Sequence, residues 1–172
     1  MNASRFWIDT SRCTGCAACL IACQDRAGLG DANTWLRVVS REEGTYPHVR
    51  VAFEIVHCWH CQEPSCVEVC PVEALAQTPE GWVSLDSEAC IGCGACIEAC
   101  PYDCLQMGED DLVSKCDGCA DWAAQGHIPV CINACPMRAL GFGALPPRPA
   151  SIAVDTPHDL GTRPRLHRLV RR

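Results

Sequence analysis

Cysteine fills 17 of the 172 positions, and all but one of these thiols fall into four short segments. They read CTGCAACLIAC (13–23), CWHCQEPSCVEVCP (58–71), CIGCGACIEACP (90–101) and CDGCADWAAQGHIPVCINACP (116–136). Every segment keeps two residues between its first two cysteines and three between its last two. The middle gap is two residues in the first and third segments, four in the second and eleven in the fourth. This is an internal repeat, and its chemistry is the first thing to read.

A C-x2-C-x2-C loop is long enough to wrap three corners of a cubane iron–sulfur cluster with thiolates. The small residues Thr14-Gly15, Ala17-Ala18, Gly92 and Gly94-Ala95 let the backbone close in and aim N–H groups at the sulfides. The fourth cysteine comes one helical turn after the third and points off the far side of the loop. In two-cluster ferredoxins that residue ligates the other cluster. Segments of this kind must work in pairs, so four of them predict two pairs and four 4Fe–4S clusters. The candidate ligands are Cys13, Cys16, Cys19, Cys23, Cys58, Cys61, Cys66, Cys70, Cys90, Cys93, Cys96, Cys100, Cys116, Cys119, Cys131 and Cys135.

Other thiol chemistry fits less well. A structural zinc takes two separated cysteine pairs and has no place for a third thiol three residues on. A redox C-x-x-C would leave fifteen cysteines idle, and disulfides within such loops are too cramped. Composition agrees: three Phe, two Tyr and three Met stand against the 17 Cys, so a sulfur-bound group must fill much of the core.

The length suits one ordinary domain or two very small ones. The start, MNASRFWIDTSRC, lacks a charged-then-apolar leader, and no apolar run reaches the length of a membrane span. The expectation is a chain made and loaded in a reducing cytoplasm, with no direct membrane span. Net charge is −11 over residues 1–142 and +4 over 143–172; the acidic body reads as a solvated surface, and nothing reads as a nucleic-acid patch. There is no dinucleotide fingerprint, P-loop, nucleophile elbow or zincin helix, so no catalytic residue is assigned. The chain is expected to move electrons and leave bond-making elsewhere.

The intervening sequence supplies short elements. RFWID (5–9) reads as a strand, and ALAQTPEGWVSLD (74–86) as a hairpin turning at Thr78-Pro79-Glu80-Gly81. Residues 35–56 read as a longer hairpin, with Val49, Val51, Phe53 and Ile55 at period two. A single helical turn is expected before each fourth cysteine, ended by the Pro after Cys70, Cys100 and Cys135. From Gly143 onward five Pro and no sustained periodicity suggest an extended arm.

A few residues stand outside the pattern. Cys104 reads as a small buried hydrophobe rather than a substitute ligand. His57 and His60 flank cysteines but are not needed as ligands, and the five Trp read as packing residues. Lys115, just before Cys116, either sits in solvent or places a charge beside a cluster and raises its potential.

On these cysteine groups, on HCQEPSC, CIGCGACIEACPY and KCDGCADWAAQGHIPVCINACPMRALGFG, the chain resembles the DmsB-like iron–sulfur subunits of the dimethyl sulfoxide reductase family. The eleven-residue gap is the most discriminating element, and the resemblance covers about residues 5–142. It implies an α+β fold of two bacterial-ferredoxin-like lobes, one inserted in the other. The outer lobe would comprise 1–52 with 103–142, the inserted lobe 53–102, and the arm 143–172. It also implies crossed ligands: Cys13, Cys16 and Cys19 with Cys135; Cys116, Cys119 and Cys131 with Cys23; Cys58, Cys61 and Cys66 with Cys100; Cys90, Cys93 and Cys96 with Cys70. The implied partners are a molybdopterin-containing catalytic subunit and an integral-membrane, quinol-linked anchor, with membrane association through those partners. The alternative is a free-standing soluble polyferredoxin carrier.

Overall fold

A computed structural model describes residues 6–30, 33–155 and 160–171. Arg5 of the expected first strand, and residues 156–159 and 172 of the expected arm, lie outside them. Strand β1 (Phe6–Asp9) leads into the first thiol loop and then helix α1 (Ala18–Ala27), which carries Cys19 and Cys23 one turn apart. With no Pro after Cys23, α1 runs on by another turn until Gly28, in the left-handed conformation, closes it. Elsewhere the Cys-Pro stop works as expected. The helices are single turns: α2 (Ser65–Glu68), α3 (Ala95–Glu98) and, after α4 (Ala120–Ala124) has taken up part of the long gap, α5 (Val130–Asn133).

The turn after the Pro is also repeated. Glu73, Asp103 and Arg138 each adopt positive φ and donate their N–H to the carbonyl of the fourth cysteine, Cys70, Cys100 or Cys135. A small residue comes next, Ala74, Cys104 or Ala139, and then a buried Leu, 75, 105 or 140, that opens a strand.

The predicted hairpins form. β2 (Leu36–Glu43) pairs antiparallel with β3 (Arg50–His57), and β4 (Leu75–Gln77) with β5 (Val83–Leu85). The latter turns where Gly81 N–H bonds to Thr78 O at 2.8 Å. A sister hairpin that the hydrophobic pattern does not single out joins β6 (Leu105–Met107) to β7 (Val113–Lys115); Leu105 faces Lys115 where Leu75 faces Leu85. Buried residues gather in two cores. One holds Phe6, Ile8, Leu36, Ile55, Leu140 and Leu166 with Cys19, Cys23 and Cys131; the other holds Leu75, Val83, Leu105 and Val113 with Cys66 and Cys96. Sulfur sits in both, as the shortage of large apolar residues requires.

The tail corrects an expectation. Rather than ending in an extended arm, the chain forms β9 (Ile152–Asp155) and β10 (Leu166–Arg171) after β8 (Leu140–Phe142), completing a four-stranded sheet of order β8-β1-β10-β9. β10 lies parallel to β1, with Phe6 opposite Leu166 and Asp9 opposite Leu169. Both leucines are fully buried. Part of the basic charge is met by the acidic body, where Arg168 reaches Glu54 at 3.3 Å and Arg163 reaches Glu63 at 2.8 Å, and Arg168 also pairs with Asp155 of the tail at 3.0 Å.

Because β10 is paired on both edges, its leucines should matter to stability. Leu169→Ala is expected to cost about 2–5 kcal/mol. The readout is loss of the visible charge-transfer band in a guanidinium series under anaerobic conditions; an unchanged series would return the tail to the status of a loose arm.

Candidate metal centres

The residue before the second cysteine is the key to each loop. It has positive φ in all four segments: Gly15 (70°), His60 (44°), Gly92 (66°) and Gly118 (71°). Three are glycines because a side chain would collide with a neighbour; a Cβ at Gly92 would run into the Asp111 carbonyl, and one at Gly118 into the Trp82 ring. His60 takes the strained conformation with a side chain and is anchored by it, its Nδ1 accepting the Val83 N–H at 3.0 Å. This conformation turns a backbone N–H toward the first cysteine. Gly118 N–H donates to Cys116 Sγ at 3.4 Å, and the N–H groups of Gly15 and His60 act likewise on Cys13 and Cys58.

The fourth cysteine is served by the turn after its Pro. Ala139 N–H donates to Cys135 Sγ at 3.3 Å. Burial opposes ionisation of Cys70, yet hydrogen bonds from the backbone of Leu75, Val72, Ala74 and Glu73 outweigh it and lower its pKa. At Cys100 a hydrogen bond from the Cys104 thiol, helped by backbone N–H groups of Cys104 and Tyr102 against burial, lowers the pKa to about 6.

The structure brings the thiols together across segments. Cys13, Cys16, Cys19 and Cys135 line one small cavity, walled by Val38 and Ile55. Cys116, Cys119, Cys131 and Cys23 line another, beside Phe6 and Leu36. Cys90, Cys93, Cys96 and Cys70 line a third, against Leu75 and Val113. Cys58, Cys61 and Cys66 lie within electrostatic range of one another and of Cys100. In each set three thiols come from one segment and the fourth from a different one.

The environment is dry. Burial pushes Cys19 and Cys61 up to about 11 and Cys23 and Cys66 up to about 12, with the charges of neighbouring thiols adding to the effect. Bare thiolates are thus unfavourable there, whereas iron ions would replace the protons directly. Among the described residues no three His, Cys, Asp or Glu side chains converge closely enough for a single ion. Thiols spread around a cavity, N–H groups aimed at their sulfurs and apolar walls together fit a thiolate-ligated cubane.

The remaining residues also find their places. Cys104 occupies the slot that Ala74 and Ala139 fill in the sister turns, its Sγ 2.9 Å from His57 O. His57 and His60 are buried; burial lowers the first to about 4 and holds the second well below the ordinary imidazole value, with the Lys115 charge adding to the latter. Both are therefore neutral. Trp82 stacks on Phe142 with ring centroids 5.1 Å apart, and Trp59 lies 3.9 Å from Tyr102. Lys115 is buried rather than solvated. Its burial is not apparent from sequence, although the repeat aligns it with Leu85.

Comparison with known proteins accords with this chemistry. Two family models, each described as a 4Fe-4S dicluster domain, match residues 12–74 and 49–145. The B subunit of the anaerobic dimethyl sulfoxide reductase of Escherichia coli (strain K12) is 38% identical over 149 residues, covering 81% of this chain and 73% of that one. Its Haemophilus influenzae counterpart is 35% identical over 182 residues, covering 96% and 88%. The thiosulfate reductase electron transfer subunit PhsB of Salmonella typhi is 35% identical over 141 residues, covering 80% and 73%.

The small-residue slot generates a test. Cys104→Ala is expected to retain the full iron and labile-sulfide content of the parent, measured on anaerobically purified protein. Loss of one cluster's worth of iron would give Cys104 a ligand's role.

Proposed function

The chain belongs to the 4Fe–4S dicluster family of iron–sulfur subunits that includes the B subunits of dimethyl sulfoxide reductases, and from that membership we propose how its thiols are used. Four clusters are held by Cys13/Cys16/Cys19/Cys135, Cys116/Cys119/Cys131/Cys23, Cys58/Cys61/Cys66/Cys100 and Cys90/Cys93/Cys96/Cys70. The observation that carries the reading is that each set draws its fourth thiol from a different segment. Bound there, the clusters would supply one-electron redox couples.

The protein's own contribution is to place and insulate those couples. Cys16 and Cys93 are exposed, so the sites they serve form the two ends of the series, open to partners. Cys58 is buried and its charge acts on Cys116, which puts their two sites side by side in the middle. In this reading the lobes are residues 1–52 with 103–142 and the inserted residues 53–102. The second core extends the inserted lobe's packing to Leu105 and Val113.

The subunit then carries electrons between a quinol-linked anchor in the membrane and a molybdopterin-containing catalytic subunit that reduces an S- or N-oxide or a related acceptor. The names of its relatives support this role, and no helix among the described residues is long and apolar enough to cross a membrane. Anaerobic purification should give roughly 16 iron and 16 acid-labile sulfides per chain, in fixed stoichiometry with a large molybdenum protein. Zinc in place of iron would refute the metal assignment; a loaded chain that purifies alone would make it a free-standing carrier.

A further inference from the structure

Lys115 is the chain's only lysine. It ends β7 with 3% of its surface exposed, and its Nζ donates to the carbonyl oxygens of Val83 and, at 2.7 Å, Cys116. Among the described residues no carboxylate lies within ion-pairing range of that nitrogen, whereas Arg26, Arg41, Arg163 and Arg168 each have one. Carbonyls satisfy the ammonium's hydrogens but leave its charge uncompensated, and a buried unpaired charge is strongly unfavourable.

Nor does the hairpin need a cation. The same register position in the sister hairpin holds Leu85, opposite Leu75. The two carbonyls that hold the ammonium place it between two of the proposed sites. One is that of Cys116, itself a proposed ligand. The other is that of Val83, which packs in the core that contains Cys66 and gives its N–H to His60, the residue between Cys58 and Cys61 in the loop. The Lys115 charge acts on Cys58, Cys66 and Cys116 alike.

We propose that Lys115 is the internal counter-ion shared by the Cys58/Cys61/Cys66/Cys100 and Cys116/Cys119/Cys131/Cys23 sites, and that its charge raises the reduction potential of the cluster at the first. The inference rests on the ligand sets proposed above. A thiolate-ligated cluster is an anion that gains a further negative charge on reduction, and a fixed cation in a dry, low-dielectric setting favours the reduced form. Lys115 thereby sets the balance of the step between the two middle sites. It is a positioning residue for charge and ligates nothing.

The test compares the parent chain with Lys115→Met and Lys115→Arg, all purified anaerobically. Iron and sulfide analysis of the parent comes first, because a deficit there refutes the ligand sets and not the role of Lys115. EPR-monitored redox titration follows, with each signal assigned by the Cys→Ser variant that displaces it. Lys115→Met should make reduction at the Cys58 site about tenfold less favourable, about 59 mV for one electron. Lys115→Arg should restore it, and signals from the Cys13 and Cys90 sites should not move. An unmoved Cys58 signal, or an equal shift at all four sites, overturns the proposal. Should Lys115→Met fail to load clusters, the parent decides. With one lysine, isotope-labelled lysine gives a single side-chain ammonium resonance, which should be paramagnetically shifted and should change on reduction. A resonance at its ordinary position in both redox states overturns the proposal.

Discussion

One helical turn separates the third cysteine of each segment from the fourth, and most of the architecture depends on it. Residues four apart on a helix lie on one face but at different heights, and the three-thiol loop is already occupied on its own side. In the proposed ligand sets the fourth thiol serves a neighbouring loop, so that no segment is completed by itself. That requirement draws Cys135 toward Cys13, Cys16 and Cys19, and Cys23 toward Cys116, Cys119 and Cys131, across more than half the chain. The sheet secures the same closure, since β1 lies between β8 and β10, both from the far end of the sequence.

Sulfur takes the place that leucine and phenylalanine hold in an ordinary small domain. Cys19, Cys23 and Cys131 lie in one core and Cys66 and Cys96 in the other. Burial alone would keep these thiols protonated, so the backbone is arranged to favour the ligated state. The left-handed residues Gly15, His60 and Gly118 and the turn after each Cys-Pro direct N–H groups toward sulfur. His60 shows how firmly this geometry is demanded: it accepts a conformation that the other segments reserve for glycine, held by Val83 and packed against Trp82.

Local pattern made much of this legible. The spacing of the cysteines, the Cys-Pro stops and the period-two run from Val49 to Ile55 lead directly to the loops, single-turn helices and the β2–β3 hairpin. The β6–β7 hairpin was within reach of the same repeat, since Leu105 follows Cys100 as Leu75 follows Cys70, but three-residue strands carry too little periodicity to stand out alone. The tail was opaque for a different reason. Leu166 and Leu169 are buried without strict alternation, and the arginines among them look solvent-bound until Glu54, Glu63 and Asp155 appear beside them. Lys115 was hidden likewise, because burial of a lone cation depends on the tertiary environment and leaves no mark in the local sequence.

The crossing of ligands between segments is the claim on which the rest stands, and low-temperature EPR of four single Cys→Ser variants tests it most directly. Cys13→Ser and Cys135→Ser should alter the same cluster signal, and Cys23→Ser and Cys116→Ser should share a second one. If instead Cys13 and Cys23 report on one cluster while Cys116 and Cys135 report on another, each segment is a self-contained binding loop and the paired-lobe account is wrong.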